Sequence, residues 1–114
     1  MSVNLTTRQV GDVSIVDLAG KITLGPESNA LGNLLRELRS QGHVKILLNM
    51  RDVSYIDSSG MGEMVSGLTE ASHKGGSLKL VGLTPRIKDL LRITKLHTIF
   101  DVHEDEAQAV GSFG

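Results

Sequence analysis

Short apolar runs alternate with helical repeats along most of this chain, and that alternation limits its possible folds more than any other feature. The run Val44–Met50 is short and nearly continuous, as expected of a central strand covered on both faces. Before it, leucines recur at i, i+3, i+4 and i+7, the spacing of an amphipathic helix: Leu31, Leu34, Leu35 and Leu38. Strands that alternate with helices in this way form parallel sheets through right-handed crossovers.

The chain opens differently, with two strands that lack a helix between them. Val3, Leu5 and Thr7 alternate with polar neighbours, and a Gly11-Asp12 turn leads to a second strand, so a hairpin is predicted. The elements expected after the first strand are a strand at Val13–Ala19, a loop at Gly20–Pro26, a helix ending near Gly42, a strand at Val44–Met50, a helix from Met61 to Ser72 that ends at Gly75-Gly76, a strand at Leu78–Val81, a helix opened by Thr84-Pro85, a strand at Ile99–Val102 and a helix at Glu104–Val110.

This order predicts one small α/β domain over residues 1–114. Its sheet is expected to be mixed, with an opening hairpin followed by parallel strands, and to carry about four helices. A chain of 114 residues is long enough to bury a core without disulfides or metal ions.

Composition argues against several classes of function. The chain has no cysteine, which excludes disulfides, thiolate zinc sites and cysteine nucleophiles. A net charge of -1 and 3% aromatic residues do not suit a nucleic-acid binder. No metal-ligand spacing is formed by His43, His73, His97 and His103. We therefore expect no metal, no cofactor and no nucleic-acid partner.

The chain also lacks the sequence features of membrane or secreted proteins. No basic stretch followed by an apolar segment stands at the N-terminus, and runs such as Ile46-Leu47-Leu48 are far too short to span a bilayer. A cytoplasmic protein without membrane association is the expectation.

The segment from Ser54 to Gly62, between the central strand and the second helix, is the strongest candidate for a functional site. Asp57, Ser58 and Ser59 are all residue types that cap helices, so one interpretation is a cap with solvated neighbours. The other interpretation rests on Gly60 and Gly62, because glycine in a helix costs about 0.5–1 kcal/mol relative to alanine. Here the glycines would permit close approach by another group, and the helix start would favour a phosphate.

Other features of this helix leave a choice open or argue against an enzyme. Met61 and Met64 suit either core packing or a pliable partner-binding surface. Neither Ser58 nor Ser59 lies in a G-x-S-x-G nucleophile elbow, and no phosphate loop or dinucleotide fingerprint is present. A protein that is not an enzyme is therefore expected.

The stretch from Leu47 to Gly62 resembles the signature of STAS domains, in particular the bacterial anti-sigma factor antagonists of the sporulation and general-stress type. Its Asp57-Ser58-Ser59-Gly60 core, with an apolar lead-in, is the most specific part. The similarity extends from Val3 to Val110, and supporting features are the opening hairpin, Leu18-Ala19-Gly20, the Gly75-Gly76 turn and the Thr84-Pro85 helix start.

The resemblance implies a phosphorylation switch that regulates transcription. In that family the serine directly after the aspartate, here Ser58, is phosphorylated by a partner that is both an anti-sigma factor and an ATP-dependent kinase. The unphosphorylated form sequesters this partner and frees the sigma factor, and a PP2C-type phosphatase resets the switch. By the same resemblance, Asp57 supports kinase recognition or phosphotransfer, and the partner contacts and switch support come from Ser59, Gly60, Met61 and Gly62.

One departure from the family leaves the partner open. Family antagonists usually carry Gly-Glu-Leu-Asp before the first helix, near the phosphoserine, whereas this chain reads Gly20-Lys21-Ile22-Thr23. An alternative is therefore a scaffold STAS domain in a larger signalling or lipid-transport complex. A third hypothesis is a small serine hydrolase that uses Ser58 or Ser59 with His73 or another histidine, although the missing elbow argues against it. The near-neutral charge is compatible with a monomer or a weak dimer.

Overall fold

A computed structural model describes residues 3–113 and contains the alternation that the sequence predicts. The strands are β1 (Asn4–Val10), β2 (Val13–Ile22), β3 (Lys45–Ile56), β4 (Ser77–Val81) and β5 (Val102–His103). The helices are α1 (Pro26–Ser40), α2 (Ser58–His73), α3 (Pro85–Ile93) and α4 (Glu106–Gly111), and a short 3-10 turn spans Leu96–Thr98.

The five strands form one mixed sheet in the order β1-β2-β3-β4-β5. β1 and β2 pair antiparallel as a hairpin, and all later neighbours pair parallel. The predicted α/β class and the central position of β3 are thus confirmed. Each parallel crossover carries a helix, which places the C-terminal ends of β2, β3 and β4 at the same edge of the sheet.

Both faces of the sheet are covered, which explains the continuous apolar run in β3. Successive residues of a strand point to opposite faces. Accordingly, Val16 and Leu48 belong to the main core with α1, α2 and α3, whereas Ile15 and Leu47 pack with Ala109 of α4 in a smaller cluster.

Ion pairs also connect helix α4 to β1, the strand at the far edge of the sheet. The guanidinium of Arg8 on β1 contacts the carboxylates of Asp17 at 2.8 Å and Glu106 at 2.6 Å. These contacts link elements at opposite ends of the chain across the more thinly covered face.

Several predicted boundaries were wrong, and pairing between strands explains most of them. Gly20–Ile22 was expected to be loop but continues β2, because these residues pair with the end of β3, with one register shift before Gly20 and another after it. Correspondingly, β3 runs to Ile56 rather than ending at Met50.

Near the C-terminus, the strand expected at Ile99–Val102 is only the pair Val102–His103, because a 3-10 turn occupies the chain just before it. Helix α4 begins at Glu106 because the Asp105 carboxylate caps it, accepting from the Gln108 amide at 2.9 Å.

Helix ends agree with the sequence signals. Gly42 adopts a φ of 87°, and the amides of Gly42 and His43 donate to the carbonyls of Arg39 and Leu38, a Schellman motif that ends α1. Pro85 opens α3 behind the Thr84 cap as predicted. Within residues 3–113, no helix combines the length and apolar character that a bilayer crossing requires.

Lys95 follows the end of α3 and adopts a backbone conformation that is unfavourable for a residue with a side chain. Its φ of 64° lies in the left-handed region, where a Cβ atom costs about 1–2 kcal/mol. Lys95→Gly removes that cost but adds backbone entropy to the unfolded state, so we expect a net gain of about 0.5–1 kcal/mol in the free energy of unfolding. Urea denaturation checks this, and Lys95→Ala, which keeps the Cβ atom, should show no comparable gain.

Candidate functional site

Asp57 joins three segments at the start of α2. Its carboxylate accepts a hydrogen bond from the Gly60 amide at 3.0 Å, which caps the helix, and a second from the Leu24 amide at 2.8 Å. Its own amide donates to the Ile22 carbonyl at 3.2 Å. Asp57 therefore fixes the end of β2, the loop that follows it and the first turn of α2 in one arrangement.

These bonds also set the ionisation of Asp57. The Gly60 amide, together with the amides of Leu24 and Ser59, holds the pKa of the Asp57 carboxyl below its ordinary value. The carboxylate therefore stays ionised at a lower pH than an ordinary aspartate does. The expectation that one of the three polar residues caps the helix is confirmed for Asp57.

Replacing Asp57 tests this cap. A carboxyl with a lowered pKa in the folded state stabilises the fold above its unfolded pKa of about 4 and loses that effect as pH falls through the folded value. Asp57→Ala should cost about 0.5–2 kcal/mol at pH 7, and the difference from the unmodified chain should shrink below about pH 4. Urea denaturation from pH 7 to about pH 2.5 measures it. Ser58→Ala should show no such convergence, and an Asp57→Ala curve parallel to the original throughout would contradict the assignment.

Ser58 is the first residue of α2 and its side chain is exposed. Within residues 3–113, its hydroxyl makes no side-chain hydrogen bond. The neighbouring Ser59 is half-buried, so the two serines differ in accessibility. Ser58 stands at the positive end of the α2 dipole, where added negative charge is tolerated by the fold.

The two glycines of the first turn have different surroundings. A Cβ atom on Gly60 would lie 2.6 Å from Cγ1 of Ile56 and 2.7 Å from the carbonyl oxygen of Ile22. Gly60 is thus required where α2 crosses the ends of β2 and β3. A Cβ atom on Gly62 would meet nothing within 4 Å, and Gly62 is exposed. Packing within residues 3–113 therefore accounts for Gly60 but not for Gly62.

Met61 does not supply the exposed partner surface that the sequence left open. Its side chain is 7% exposed and belongs to the main core, as does that of the fully buried Met64. The reason is the direction of α2: its apolar stripe faces the sheet from the first turn onward. Of the residues expected to support the switch, Gly60 and Met61 are buried, Asp57 and Ser59 are partly buried, and Gly62 is exposed.

Two features near the carboxyl ends of β2 and β3 were not identified from the sequence. Leu24 has an exposed side chain, 77% accessible, although its amide is held by Asp57. The guanidinium of Arg86 stacks over the ring of Tyr55 at 5.1 Å, next to the exposed Lys21, whose Cα pairs with that of Tyr55. In the sequence, the departure of the Gly20-Lys21-Ile22-Thr23 segment from the family pattern was the signal that pointed to the surface around Lys21 and Leu24.

The geometry does not favour hydrolysis by Ser58 with His73 as its base. Ser58 and His73 occupy opposite ends of the 16-residue α2, which places them about 22 Å apart at 1.5 Å per residue. Among the residues that the structure describes, no group of three or more His, Asp or Glu side chains could hold a metal ion.

The fold and this site together define a small α/β domain with a group of polar residues at an accessible helix start. The chain belongs to the STAS domain family, whose model matches residues 4–109. The resemblance seen in the sequence is thereby confirmed.

Individual relatives share this fold over nearly their whole length. The chain is 34% identical over 102 residues to the anti-sigma-B factor antagonist of Bacillus subtilis, covering 90% of this chain and 92% of that protein. A crystal structure of a candidate anti-sigma factor antagonist from Thermotoga maritima superposes with a TM-score of 0.89 at 24% identity, over 96% and 93% of the two chains. The phosphorylated form of the Bacillus cell fate determinant SpoIIAA superposes with a TM-score of 0.75 at 18% identity, over 96% and 98%.

Proposed function

We propose that this chain is an anti-sigma factor antagonist whose binding is switched by phosphorylation of Ser58. Unphosphorylated, it sequesters a cytoplasmic anti-sigma factor that is also a serine kinase, and the sigma factor is released. Phosphorylation by that kinase ends the complex, and a PP2C-type phosphatase restores it. The chain is then a regulator that is acted upon and has no catalytic activity of its own.

The observation that carries the proposal is the exposure of Ser58 on a rigid support. Asp57 fixes the helix start through its bonds to the amides of Gly60 and Leu24, yet the Ser58 hydroxyl stays accessible. A kinase can therefore reach the hydroxyl without unfolding its surroundings. The support from relatives is the 34% identity to a Bacillus subtilis protein that is named as an anti-sigma-B factor antagonist.

The surroundings of Ser58 suit a protein partner. Leu24 offers exposed apolar surface, and the absence of a side chain at Gly62 leaves room for close approach to the first turn of α2. Surface of this kind, a small apolar contact with a polar rim, is common in transient protein complexes. We further propose that the exposed Lys21 and Arg86 favour a partner surface with acidic groups. The acidic loop that family antagonists usually carry at the Lys21 segment would instead favour a partner surface with basic groups.

Phosphosite mapping tests the proposal. A kinase of the anti-sigma type that forms a complex with this chain in gel filtration is incubated with the chain and ATP, and the product is mapped by mass spectrometry. Phosphate on Ser58, and no incorporation into Ser58→Ala, is the expected result. Incorporation into Ser59 alone, or none from a kinase that binds, would sink the assignment. A stable complex with a transporter ATPase instead would favour the scaffold alternative.

A further inference from the structure

A pocket of about 300 Å³ opens between α3 and the β5 edge of the sheet, away from α2. Its apolar walls come from Leu83, Leu91, Phe100 and Val102. Leu91 and Phe100 belong to the main core, so the floor of the pocket is a packed, fixed surface. The volume is at the lower end of the range for small-molecule sites, which limits an occupant to a small ligand.

The polar residues of the pocket are all basic. Lys88, Arg92 and His97 line it, and none of its lining residues is acidic. Two of these cations form exposed ion pairs with carboxylates outside the lining: Glu104 contacts Lys88 at 3.3 Å, and Asp89 contacts Arg92 at 3.5 Å. Exposed pairs of this kind contribute little, so a bound anion can replace them.

His97 also lines the pocket, and its ring contacts helix α3. With the proton on Nδ1, its ring donates to the Leu91 carbonyl at 3.4 Å, which orients the ring against α3. Its Nε2 atom makes no hydrogen bond within residues 3–113. An apolar floor with basic groups on one side is complementary to a molecule that has an aliphatic tail and an anionic head.

We propose that this pocket binds a small aliphatic carboxylate. The tail lies against Leu91, Phe100 and Val102, and the carboxylate is bound by Arg92 and Lys88. Arginine offers two parallel N–H donors to a carboxylate, which gives such sites their preference for that head group. The pocket is lined by α3 and the β5 edge and includes no residue of α2, so the proposal is independent of the phosphorylation switch.

Titration with octanoate, followed by the amide signals of the ¹⁵N-labelled chain, tests the site. Saturable shifts confined to signals from the pocket residues and their neighbours are expected. Two probes of equal tail length isolate the head group: 1-octanol and octylammonium should each bind at least tenfold more weakly than octanoate. Equal affinity for octanol would overturn the proposed recognition of an anion, and shifts that are scattered or do not saturate would overturn the site.

Variants with matched controls complete the test. Val102→Trp fills the pocket from a partly exposed edge strand and should reduce octanoate affinity at least tenfold, whereas Ile93→Trp, on the exposed side of α3, should not. Arg92→Gln should weaken octanoate binding about tenfold and leave octanol unaffected, with Lys74→Gln as the control cation outside the pocket. The amide spectrum of each variant shows directly whether it is folded. Unchanged affinity in a folded Val102→Trp variant would refute the location.

Discussion

Phosphorylation of Ser58 is expected to weaken binding to the proposed partner kinase by on the order of a hundredfold without unfolding the chain. The phosphate adds about -1.5 to -2 charges at pH 7. It stands beside the carboxylate of Asp57, which is ionised at pH 7 and whose charged form is further favoured by backbone amides that lower its pKa. Docking must then desolvate two neighbouring anions, and a penalty of about 3 kcal/mol corresponds to more than a hundredfold in affinity.

The fold itself should tolerate the same charge. Ser58 lies at the N-terminus of α2, where the helix dipole and free amides stabilise an anion. Thermal unfolding of the phosphorylated and unphosphorylated chains should therefore differ little. A large loss of stability on phosphorylation would show that the switch acts by melting the helix start instead.

Three variants separate charge from other effects in a calorimetric binding experiment with the kinase. Ser58→Ala should bind as the unmodified chain does, and Ser58→Asp should bind weakly. Ser66→Asp adds the same charge to an exposed position of α2, eight residues or about 12 Å further along the helix, and should bind normally. Equal affinity of Ser58→Ala and Ser58→Asp would refute the electrostatic mechanism.

Gly60→Ala is expected to lower the free energy of unfolding by about 1–3 kcal/mol, the usual cost of overpacking. The added Cβ atom would lie within 3 Å of the Ile56 side chain and of the Ile22 carbonyl oxygen. That oxygen is backbone and already accepts a hydrogen bond from Asp57, so it cannot move away without disturbing the cap. A decrease in Tm of several degrees should follow in a domain of this size.

Gly62→Ala is the matched control, in the same helical turn and with the same added atom. Nothing lies within 4 Å of its Cβ position, so stability should rise by about 0.5–1 kcal/mol through helix propensity alone. Differential scanning calorimetry of both variants compares them. A similar change in Tm for both would mean that the ends of β2 and β3 leave enough space for a side chain at position 60.

Much of the fold could be predicted because its signals are local. The leucine spacing of α1, the Thr84-Pro85 start of α3 and the terminating Gly42 each act within about one helical turn. The candidate site was found in the same way, since capping residues and glycines cluster at one strand-to-helix junction. The boundaries of β2 and β3 were missed because their last residues are held by pairing with each other rather than by an apolar pattern of their own.

The sequence by itself determined the order of strands and helices, the hairpin followed by parallel strands, and the position of Ser58 at a helix start. Only the tertiary structure decided that Gly60 is fixed by packing while Gly62 is open, that Met61 is buried, and that Asp57 holds the Leu24 amide. The physical reason is distance along the chain. Periodicity and capping act between residues three or four apart, whereas Asp57 and Leu24 are 33 residues apart, and their contact exists only once the sheet has formed.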